Sequence, residues 1–397
     1  MCLLEISDMY KLRSWIPENK LFLHILCKNK NPGVLRIFEK NKDKIDWNNL
    51  SKQSYAIHLL KQNLDKVDWD ALCLNESAID ILCKNPDKIN WFIFSRNKHP
   101  DIVSIIEKNW DKILLEDQRE DVWSDGTLTF YIILQNLLYH PNSLPFIEKH
   151  IENLDWKLVS ENSNMISIIE KNLDKVDWNK LCNNKNKKVL EILEKNIDKV
   201  NWDILSSNPI AVSFLEKHMD KINWVELSSN SRAVDLLEKN IDKICWESIV
   251  YNTNPRAISL IEQNLYHLNT HTWASLTLNE NAVHLFRKNI DKIHLPYLLF
   301  NKHPDAIKLF EENITKVTLD DEDIEDLSIK PHLVPFFEKN VEYINWYNIS
   351  KNEGIFEYDY ENIKKRMSIF EEELVQKVFH PRNYHKFVDW GYEEFKD

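Results

Sequence analysis

The sequence predicts an all-α fold, an α-solenoid of about a dozen short two-helix repeats with helical caps. Three observations predict this class. A phrase of the type Asp-Lys-Ile-Asp-Trp recurs along the 397-residue chain, with steps of 22 or 24 residues between its clearest copies. Only four residues are glycine, which disfavours β-sandwiches and the phosphate loops of nucleotide-binding folds. Hydrophobic residues make up 43 % of the chain, enough to build a packed core.

The repeat unit reads W-x-x-L-S-x-N-[P/x]-x-A-[I/V]-x-L-[L/I]-E-K-N-x-D-K-[I/V]-[D/N], and residues 202–223 are its clearest copy. Asn208 followed by Pro209 is typical of a helix N-cap and the first helical residue. The alanine and the larger apolar residues that follow lie at helical spacing and form one stripe. The unit therefore predicts a helix of about ten residues, whose small alanine lets a neighbouring helix approach closely.

The predicted helix ends at an asparagine in most units and at His150 or His218 in two others. Asparagine and histidine adopt left-handed backbone conformations more readily than most residues. We therefore expect this position to end the helix in a left-handed conformation, a role that glycine usually has.

A second, shorter helix is predicted around each repeat tryptophan. An aspartate or asparagine precedes the tryptophan and can cap the helix, while the tryptophan and the leucine three residues later share a face. Strand pairing of the Asp-Lys-Ile-Asp-Trp segment is the alternative, which the lack of β-branched residues on its polar side disfavours.

Helices this short are marginal alone, so stacking between repeats must build the core, with one tryptophan per repeat as its anchor. We expect Trp224→Ala to cost about 3–5 kcal/mol, as large-to-small changes in a core do. The predicted anchors are Trp47, Trp69, Trp91, Trp156, Trp178, Trp202, Trp224, Trp246 and Trp346.

The pattern divides the chain into five segments. An N-terminal cap covers residues 1–20, the repeat array covers 20–115 and continues over 141–352, and a C-terminal helical cap covers 353–397. Residues 116–140, which include Gly126, are an insertion or a degenerate repeat. A second irregularity at 318–326 is strongly acidic, and it is interpreted as a solvated loop or a docking patch for a basic partner.

The six cysteines indicate neither disulfides nor a metal site, because no Cys-x-x-Cys or zinc-ligand spacing occurs. Cys73 and Cys182 take a place that is serine in other units, whereas Cys27 and Cys83 are assigned to the place where others carry glutamate. We expect free, partly buried thiols. The first residues lack the pattern of a secretory signal, and the apolar stretch 127–139 is too short to span a bilayer, so we expect a soluble intracellular protein that is not secreted.

The repeat unit resembles the short tandem repeats that giant nucleocytoplasmic DNA viruses of the mimivirus and marseillevirus groups encode in many copies. The ending VFHPRNYHKFVDWGYEEF at residues 378–395 is similar to the segment that closes many of those proteins. The resemblance covers about 90 % of the chain and departs from the pattern at 116–139 and after Thr270. It implies a viral protein in the host cytoplasm or viral factory, and it implies no chemistry.

No sequence motif indicates catalysis, a metal or a cofactor, and we expect a non-enzymatic protein. Most histidines read as structural: His99, His140 and His303 lie at cap positions. His267 and His271 near Trp273 would make a metal site only with further ligands, which the sequence does not supply. The recurring Asp-Lys and Glu-Lys pairs are expected to form ladders of exposed charge along the stacked repeats.

Two variable rows on the polar side of the longer helix are the candidate binding surface; unselected variation of solvent-facing residues is the alternative. The first row, two residues after the repeat alanine, is His58, Asp80, Ser104, Ser167, Glu191, Ser213, Asp235, Ser259, His284 and Lys308. The second row, just before the alanine, has Tyr55, Arg232 and Arg256 as candidates, with Ser77, Ile210, Asn281 and Asp305 at the same position.

The sequence favours a monomeric scaffold that binds another protein along these rows. A helical repeat that binds nucleic acid is one alternative, which the net charge of −12 disfavours. A structural virion component and an enzyme with its site in residues 116–139 are the others. No cofactor and no membrane are expected.

Overall fold

The computed structural model describes residues 6–117, 129–378 and 380. Within them the chain is all-α apart from one pair of three-residue strands, which confirms the predicted fold class. The chain divides into a terminal unit, formed by Met1–Asp68 with Glu322–Asp397, and a central unit, Trp69–Asp321. Each repeat in either unit contributes two helices joined by short turns.

The first helices of the repeats carry the tryptophan or its replacement, and the second helices carry the variable rows. The first helices are Leu23–Leu26, Trp47–Ser51, Trp69–Cys73, Trp91–Phe94, Thr129–Leu137, Trp156–Glu161, Trp178–Asn183, Trp202–Ser207, Trp224–Ser229, Trp246–Ile249, Thr270–Thr277, the 3-10 helix Leu295–Leu299, Asp321–Ser328 and Trp346–Ile349. The second helices are Val34–Phe38, Ile57–Gln62, Ile79–Lys84, Ile102–Lys108, Leu144–Glu148, Ile166–Lys171, Val189–Glu194, Val212–Leu215, Val234–Glu238, Pro255–Gln263, Val283–Phe286, Pro304–Glu311 and Val334–Lys339.

Further elements complete the described chain. Two more helices are Trp110–Asp117 and Tyr360–Val378, and the strands are β1, Tyr10–Leu12, and β2, Phe356–Tyr358. Short 3-10 turns precede second helices at Ser54–Ala56, Glu76–Ala78, Ser163–Met165, Pro209–Ala211, Glu280–Ala282 and Pro331–Leu333. Others connect repeats at Lys42–Lys44, Pro86–Lys88, Ile151–Asn153, Ile197–Lys199, Met219–Lys221, Ile241–Lys243, Leu265–His267, Arg287–Asn289, Ile314–Lys316 and Val341–Tyr343, and the remaining ones are Ile6–Met9, Glu18–Lys20 and Glu353–Ile355.

The first helices begin as the sequence predicts, at a side-chain cap. The carboxylate of Asp46 accepts a hydrogen bond from the backbone N–H of Asn49 at 3.1 Å, and the side chain of Asn201 accepts one from that of Ile204 at 3.2 Å. The preceding Asp-Lys segments form turns, and most of these are 3-10 turns such as Ile241–Lys243. The alternative of strand pairing for these segments is therefore wrong.

The ends of the second helices differ from the prediction. Asn240 has φ −137° and ψ 52°, which is not left-handed. Its side-chain N–H instead donates to the carbonyl of Leu236 at 2.8 Å, four residues back in the helix. This bond satisfies a helix-terminal carbonyl without a positive φ, and glycine therefore has no advantage here. The same bond is made by Asn41, Asn63, Asn85, Asn109, Asn172, Asn196, Asn264, Asn289, Asn313 and Asn340.

We expect Asn240→Ala to lower the free energy of unfolding by about 1 kcal/mol, because one hydrogen bond to a helix carbonyl is lost. Asn240→Gly should cost at least as much, since φ is negative and glycine adds only disorder to the unfolded chain. Urea denaturation followed by circular dichroism measures both, with Lys239→Ala on the exposed surface as the control. A glycine variant as stable as the wild type would contradict this mechanism.

A row of asparagines, all buried except the partly exposed Asn279, joins consecutive repeats and is here called the asparagine ladder. Asn252 donates from its side chain to the carbonyls of Ser228 at 2.9 Å and Asn230 at 3.0 Å, both in the preceding repeat. Its side-chain oxygen accepts from the N–H of Asn254 at 3.0 Å and so caps its own segment. One residue therefore caps the turn before its own second helix and also binds the preceding repeat. In the central unit the ladder includes Asn97, Asn162, Asn184, Asn208, Asn230, Asn252, Asn279 and Asn301.

The serine of the repeat also bridges neighbours. Ser228 accepts from the N–H of Cys245 at 2.9 Å and donates to the carbonyl of Trp224 at 2.7 Å. Cys182 takes this place as expected, with its sulfur 3.3 Å from the N–H of Asn201. Cys27 does the same for Asp46, so assigning Cys27 to the glutamate position was wrong.

Burial raises the pKa of the Cys27 thiol to about 11. The thiols of Cys27, Cys73 and Cys182 are buried, whereas Cys83 is exposed and Cys245 is partly so. The buried thiols therefore replace a structural serine.

Most of the predicted tryptophan anchors lie at the border of the core rather than inside it. Trp91 and Trp246 are buried, whereas the other seven predicted anchors are partly exposed. A lysine of the next repeat lies over many of the rings: Lys199 is 4.5 Å from the centre of Trp178, and Lys243 is 5.0 Å from that of Trp224. The residues at the centre of the core are instead the leucines three residues after the tryptophans, such as Leu227, which is 0 % exposed.

Residues 129–140 of the segment expected to be an insertion or a degenerate repeat behave as a repeat. The helix Thr129–Leu137 occupies the place of a first helix: Asn136 donates to the hydroxyl of Ser95 at 2.8 Å, and Asn162 donates to the carbonyl of Leu138 at 2.6 Å. These contacts favour the degenerate repeat for this part. Residues 118–128, with Gly126, lie outside the described residues.

The two segments expected to cap the array belong to the same unit. In the terminal unit β1 pairs antiparallel with β2, with Tyr10 opposite Tyr358, Lys11 opposite Glu357 and Leu12 opposite Phe356. The helix Tyr360–Val378 follows β2, in line with the predicted C-terminal helix, while residues 381–397 lie outside the described part. The two segments that the sequence places as caps at opposite ends of the array, 1–20 and 353–397, therefore contact each other.

Asp359 ties this region to the first repeat. Its carboxylate lies 3.1 Å from the guanidinium of Arg36 and accepts from the N–H of Asn362 at 3.3 Å. Burial alone would raise the pKa of Asp359, but these hydrogen bonds and the charges of Arg36 and Lys11 hold it below its usual value.

We expect Asp359→Asn to be less stable than the wild type at pH 7 and equally stable at strongly acid pH. The folded-state pKa is the lower one, so the stability from this carboxylate is present above about pH 4 and is lost as the pH falls through the folded-state value. Urea midpoints at neutral and acid pH, with the exposed Glu361→Gln as control, measure it. A difference independent of pH would contradict the assignment.

Candidate functional site

The second helices are positioned so that one face is buried and the variable rows remain outside. In the helix Val212–Leu215, Phe214 is 3 % exposed and Leu215 is 0 % exposed, and Ala211 just before it is also fully buried. Asn208 fixes the start of this segment through the N–H of Ile210 at 3.3 Å. Ser213 therefore points to solvent, two residues after the alanine, as the helical pattern predicts.

The structure places nearly the whole first row on this outer face. Ser167 is half-buried and differs from the rest. The exposed members are Asp80, Ser104, Glu191, Ser213, Asp235, Ser259, His284 and Lys308 in the central unit and His58 in the terminal unit.

The second row is only partly exposed. Arg232 and Arg256 are exposed in the central unit. Tyr55, in the terminal unit, is not available to a partner: its hydroxyl donates to the carbonyl of Asn29 at 2.7 Å, and burial raises its pKa. The inclusion of Tyr55 in a binding row is therefore wrong, because its ring fills the contact between two repeats.

Charges on this face pair across neighbouring repeats. Arg256 lies 2.6 Å from the carboxylate of Asp235, and it also binds Glu238, in both cases in the preceding repeat. Ion pairs such as Lys171–Glu148 at 3.6 Å and Lys217–Glu194 at 3.9 Å form the expected charge ladder of the Glu-Lys positions. Each exposed pair contributes about 0–1 kcal/mol, so these charges shape the surface more than they stabilise it.

Two grooves of the central unit are lined by the first row. One of about 520 Å³ lies between the helices Val189–Glu194 and Val212–Leu215, with Glu191 and Ser213 in its lining. Its floor includes the apolar side chains of Leu190 and Phe214. This groove combines an apolar floor with a charged rim, which is typical of a surface that accepts a side chain of another protein.

The second groove, of about 660 Å³, is more polar. His284, Arg287 and Lys308 line it together with Asp305. Arg287 makes two hydrogen bonds to Glu312, at 2.7 and 3.0 Å, and Lys308 lies 3.0 Å from Asp305. Because these cations are each matched by a carboxylate, the groove offers a pattern of alternating charge and not a concentrated anion site.

The histidines have packing and capping contacts. The rings of His99 and His303 accept from the N–H groups of Asp101 and Asp305, each at 3.2 Å, which confirms their role as caps. His140 instead contacts the carbonyl of His99 at 2.9 Å, so it does not cap its own helix.

His267 stacks on Trp246 at 4.6 Å, where other repeats have a lysine over the ring. Among the described residues, no group of three or more histidine, cysteine, aspartate or glutamate side chains is arranged to hold a metal ion.

Sequence reasoning missed the residues that join the repeats. The sequence pattern predicts a capping role for the ladder asparagine and a surface charge for the lysine of the Asp-Lys pair, but not their contacts between repeats. Trp273, which is 3 % exposed and lies under Lys292 at 5.6 Å, was not included among the anchors. The regular recurrence of these asparagines and lysines was the available signal.

Comparisons with known proteins leave the family open. No protein-family model matches the chain, and neither the curated proteins nor the solved structures contain a match. None of the helices in the described part of the chain is long and apolar enough to cross a membrane. The exposed face of the second helices, with the two grooves of the central unit described above, is the candidate functional site on geometry alone.

Proposed function

We propose that the chain is a non-enzymatic repeat scaffold that binds another protein along the exposed face of the second helices. One observation carries this proposal: the constant positions of the repeat form the contacts between repeats, whereas the variable positions lie at the surface. The constant asparagine, serine and leucine are buried in contacts between repeats, whereas the first row changes its chemistry from repeat to repeat and lies at the surface. Variation at exposed positions of a rigid array is how repeat proteins present a binding surface.

The chemistry of this face supports binding more than catalysis. Its ionisable groups are distributed in neighbouring pairs, such as Asp235 with Arg256 and Asp305 with Lys308. Catalysis needs several such groups to converge on one reacting atom. These ion pairs are spread over several repeats beside apolar grooves. A protein partner with complementary charges can contact many of them at once, whereas a small substrate cannot.

The resemblance to giant-virus repeats supports a more specific proposal about place. The chain would act inside an infected cell, in the host cytoplasm or the viral factory, as a monomer. Nucleic-acid binding and a structural role in the virion remain the alternatives that the experiment must separate.

The test is affinity purification of the tagged full chain from its native cell lysate, with and without nuclease, read by mass spectrometry. The wild type should recover a nuclease-resistant protein partner in stoichiometric amount. Ser213→Arg, which fills the groove beside Glu191, should lose that partner while keeping the helical circular dichroism signal. Val225→Arg is the matched control, because Val225 is 52 % exposed on a first helix.

The outcomes distinguish the alternatives. Loss with Ser213→Arg and retention with Val225→Arg support the proposed surface. Recovery that collapses on nuclease treatment would indicate a nucleic-acid-binding protein. Equal recovery by both variants would place the partner elsewhere on the molecule.

A further inference from the structure

The first repeat of the chain contacts the last repeat through the bonds that consecutive repeats use. In the terminal unit, Asn29 donates from its side chain to the carbonyls of Ser350 at 3.1 Å and Asn352 at 2.8 Å. The N–H of Phe22 donates to the hydroxyl of Ser350 at 3.0 Å. Lys20 lies 4.9 Å from the centre of the Trp346 ring. We call the contact between residues 20–36 and 346–359 the terminal joint.

An interior pair of repeats shows the same three contacts with the same spacing. Asn252 binds the carbonyls of Ser228 and Asn230, the N–H of Cys245 donates to the hydroxyl of Ser228 at 2.9 Å, and Lys243 lies 5.0 Å from the Trp224 ring. Lys20, Phe22 and Asn29 are separated by the same numbers of residues as Lys243, Cys245 and Asn252. The first repeat thus lies on the last one in the way that a following repeat would.

Contacts outside the repeat pattern reinforce the terminal joint. The strands β1 and β2 pair across it, and Arg13 donates to the carbonyl of Gly354 at 2.9 Å. Gly33 marks a close approach: a Cβ at this residue would lie 2.7 Å from Phe356 Cδ1 and 3.0 Å from Tyr10 Cβ. The φ of Gly33 is −56°, a helical value that alanine adopts easily. Glycine is therefore required by the close approach of Phe356 and Tyr10 and not by the backbone conformation.

We propose that the terminal joint is a true inter-repeat interface and the place where the repeat array opens first. Consecutive repeats are held by their contacts and by the chain that runs directly from one to the next. At the terminal joint the contacting residues Asn29 and Ser350 are 321 positions apart, so the contacts alone hold the two repeats together. A short chain connection keeps two separated repeats at a high effective concentration, and the terminal joint has no such connection. Opening here breaks one interface and leaves the others formed, as local opening in repeat proteins does.

Hydrogen exchange of the full-length protein, read by mass spectrometry, tests this proposal, which does not depend on the proposed protein partner. In the wild type, segments 22–29 and 346–352 should exchange at a common rate, faster than the interior segments 224–230 and 246–252. Asn29→Ala should speed exchange at least tenfold in both terminal segments, although only one carries the substitution. Asn252→Ala, the matched interior variant, should speed exchange at 224–230 and leave the terminal segments unchanged.

Two further variants test the terminal joint even if Asn29→Ala misfolds. Gly33→Ala suits an isolated helix but clashes with Phe356 when the terminal joint is closed, so it should speed exchange at 346–352 without lowering the helical signal. A disulfide between Lys11→Cys and Glu357→Cys, which are directly opposite in the strands, should slow exchange in both terminal segments relative to the reduced form.

Three results would overturn the proposal. One is that Asn29→Ala and Gly33→Ala speed exchange only around the substituted residue. Another is that wild-type terminal segments exchange more slowly than the interior ones. The third is that the oxidised double-cysteine variant exchanges at the rate of its reduced form.

Discussion

Asn252→Ala is expected to lower the free energy of unfolding by about 3 kcal/mol, a larger effect than any surface substitution on this chain. Asn252 is 0 % exposed, and its side chain makes three hydrogen bonds, two to carbonyls of the preceding repeat and one to the N–H of Asn254. Alanine removes all three at once. A buried polar group left without a partner costs about 1–3 kcal/mol, and the carbonyl of Ser228 faces that loss in the repeat interface.

Asn252→Asp separates the hydrogen bond that the side chain accepts from the two that it donates. The carboxylate keeps an acceptor for the N–H of Asn254, but it has no donor for the carbonyls of Ser228 and Asn230 and brings a buried charge close to them. We expect this variant to be at least as unstable as Asn252→Ala at pH 7 and less unstable near pH 4, where protonation restores a donor.

Urea denaturation followed by circular dichroism measures these losses, with the exposed Thr253→Ala as the neighbouring control. A loss below about 1 kcal/mol for Asn252→Ala would mean that the side chain contributes no more than one hydrogen bond to the stability of the fold. The asparagine ladder would then be a capping device alone, and the interface between repeats would depend on apolar packing.

Asparagine shows how far the sequence predicts this fold. The pair Asn208-Pro209 indicates a helix start, and the structure confirms the cap at the N–H of Ile210. The second function of the same side chain, its bonds to Cys182 and Asn184 of the preceding repeat, depends on how repeats stack. Local patterns determine what begins and ends a helix, but a contact between repeats appears only once the helices are assembled.

The helix ends show a similar limit. The sequence identifies the residue that ends each second helix, yet the expected left-handed backbone is absent at Asn240. An asparagine can satisfy the last helix carbonyls in two ways, by a left-handed backbone turn or by a hydrogen bond from its side chain. The sequence does not distinguish the two. At Asn240 the side chain makes the direct bond, and the chain continues immediately into a 3-10 turn, Ile241–Lys243.

The candidate binding surface was predictable for a simpler reason. Helical geometry directs a residue two positions after the buried alanine away from the core, and Ser213 and Asp235 are exposed there, whereas Ser167 is half-buried. Tyr55 was mispredicted because its position lies at the edge of the helix, where an aromatic ring reaches the adjacent repeat and binds Asn29. Periodicity predicts the direction of a side chain but not the reach of a large one.

Leu227→Ala is expected to lower the free energy of unfolding by about 3 kcal/mol, and Trp224→Ala by about 2 kcal/mol, the reverse of what side-chain size suggests. Leu227 is 0 % exposed at the centre of the repeat core, whereas Trp224 is partly exposed and presents one face to Lys243. Removing the leucine leaves a cavity that neighbouring repeats can fill only in part. Removing the tryptophan loses apolar contacts at the edge of the core and a cation–π contact of about 0.5–1 kcal/mol.

The comparison is made by urea denaturation of both variants, with Lys243→Ala as the control that removes the cation–π contact alone. The expected order of loss is Leu227→Ala, then Trp224→Ala, then Lys243→Ala. A tryptophan variant that loses about 3–5 kcal/mol would restore the tryptophan as the anchor and the leucine as secondary. The order matters for the whole repeat: if the leucine dominates, a repeat can lose its tryptophan and still stack. This is the situation of the first helix Leu295–Leu299, where Leu298 is 0 % exposed and no tryptophan is present.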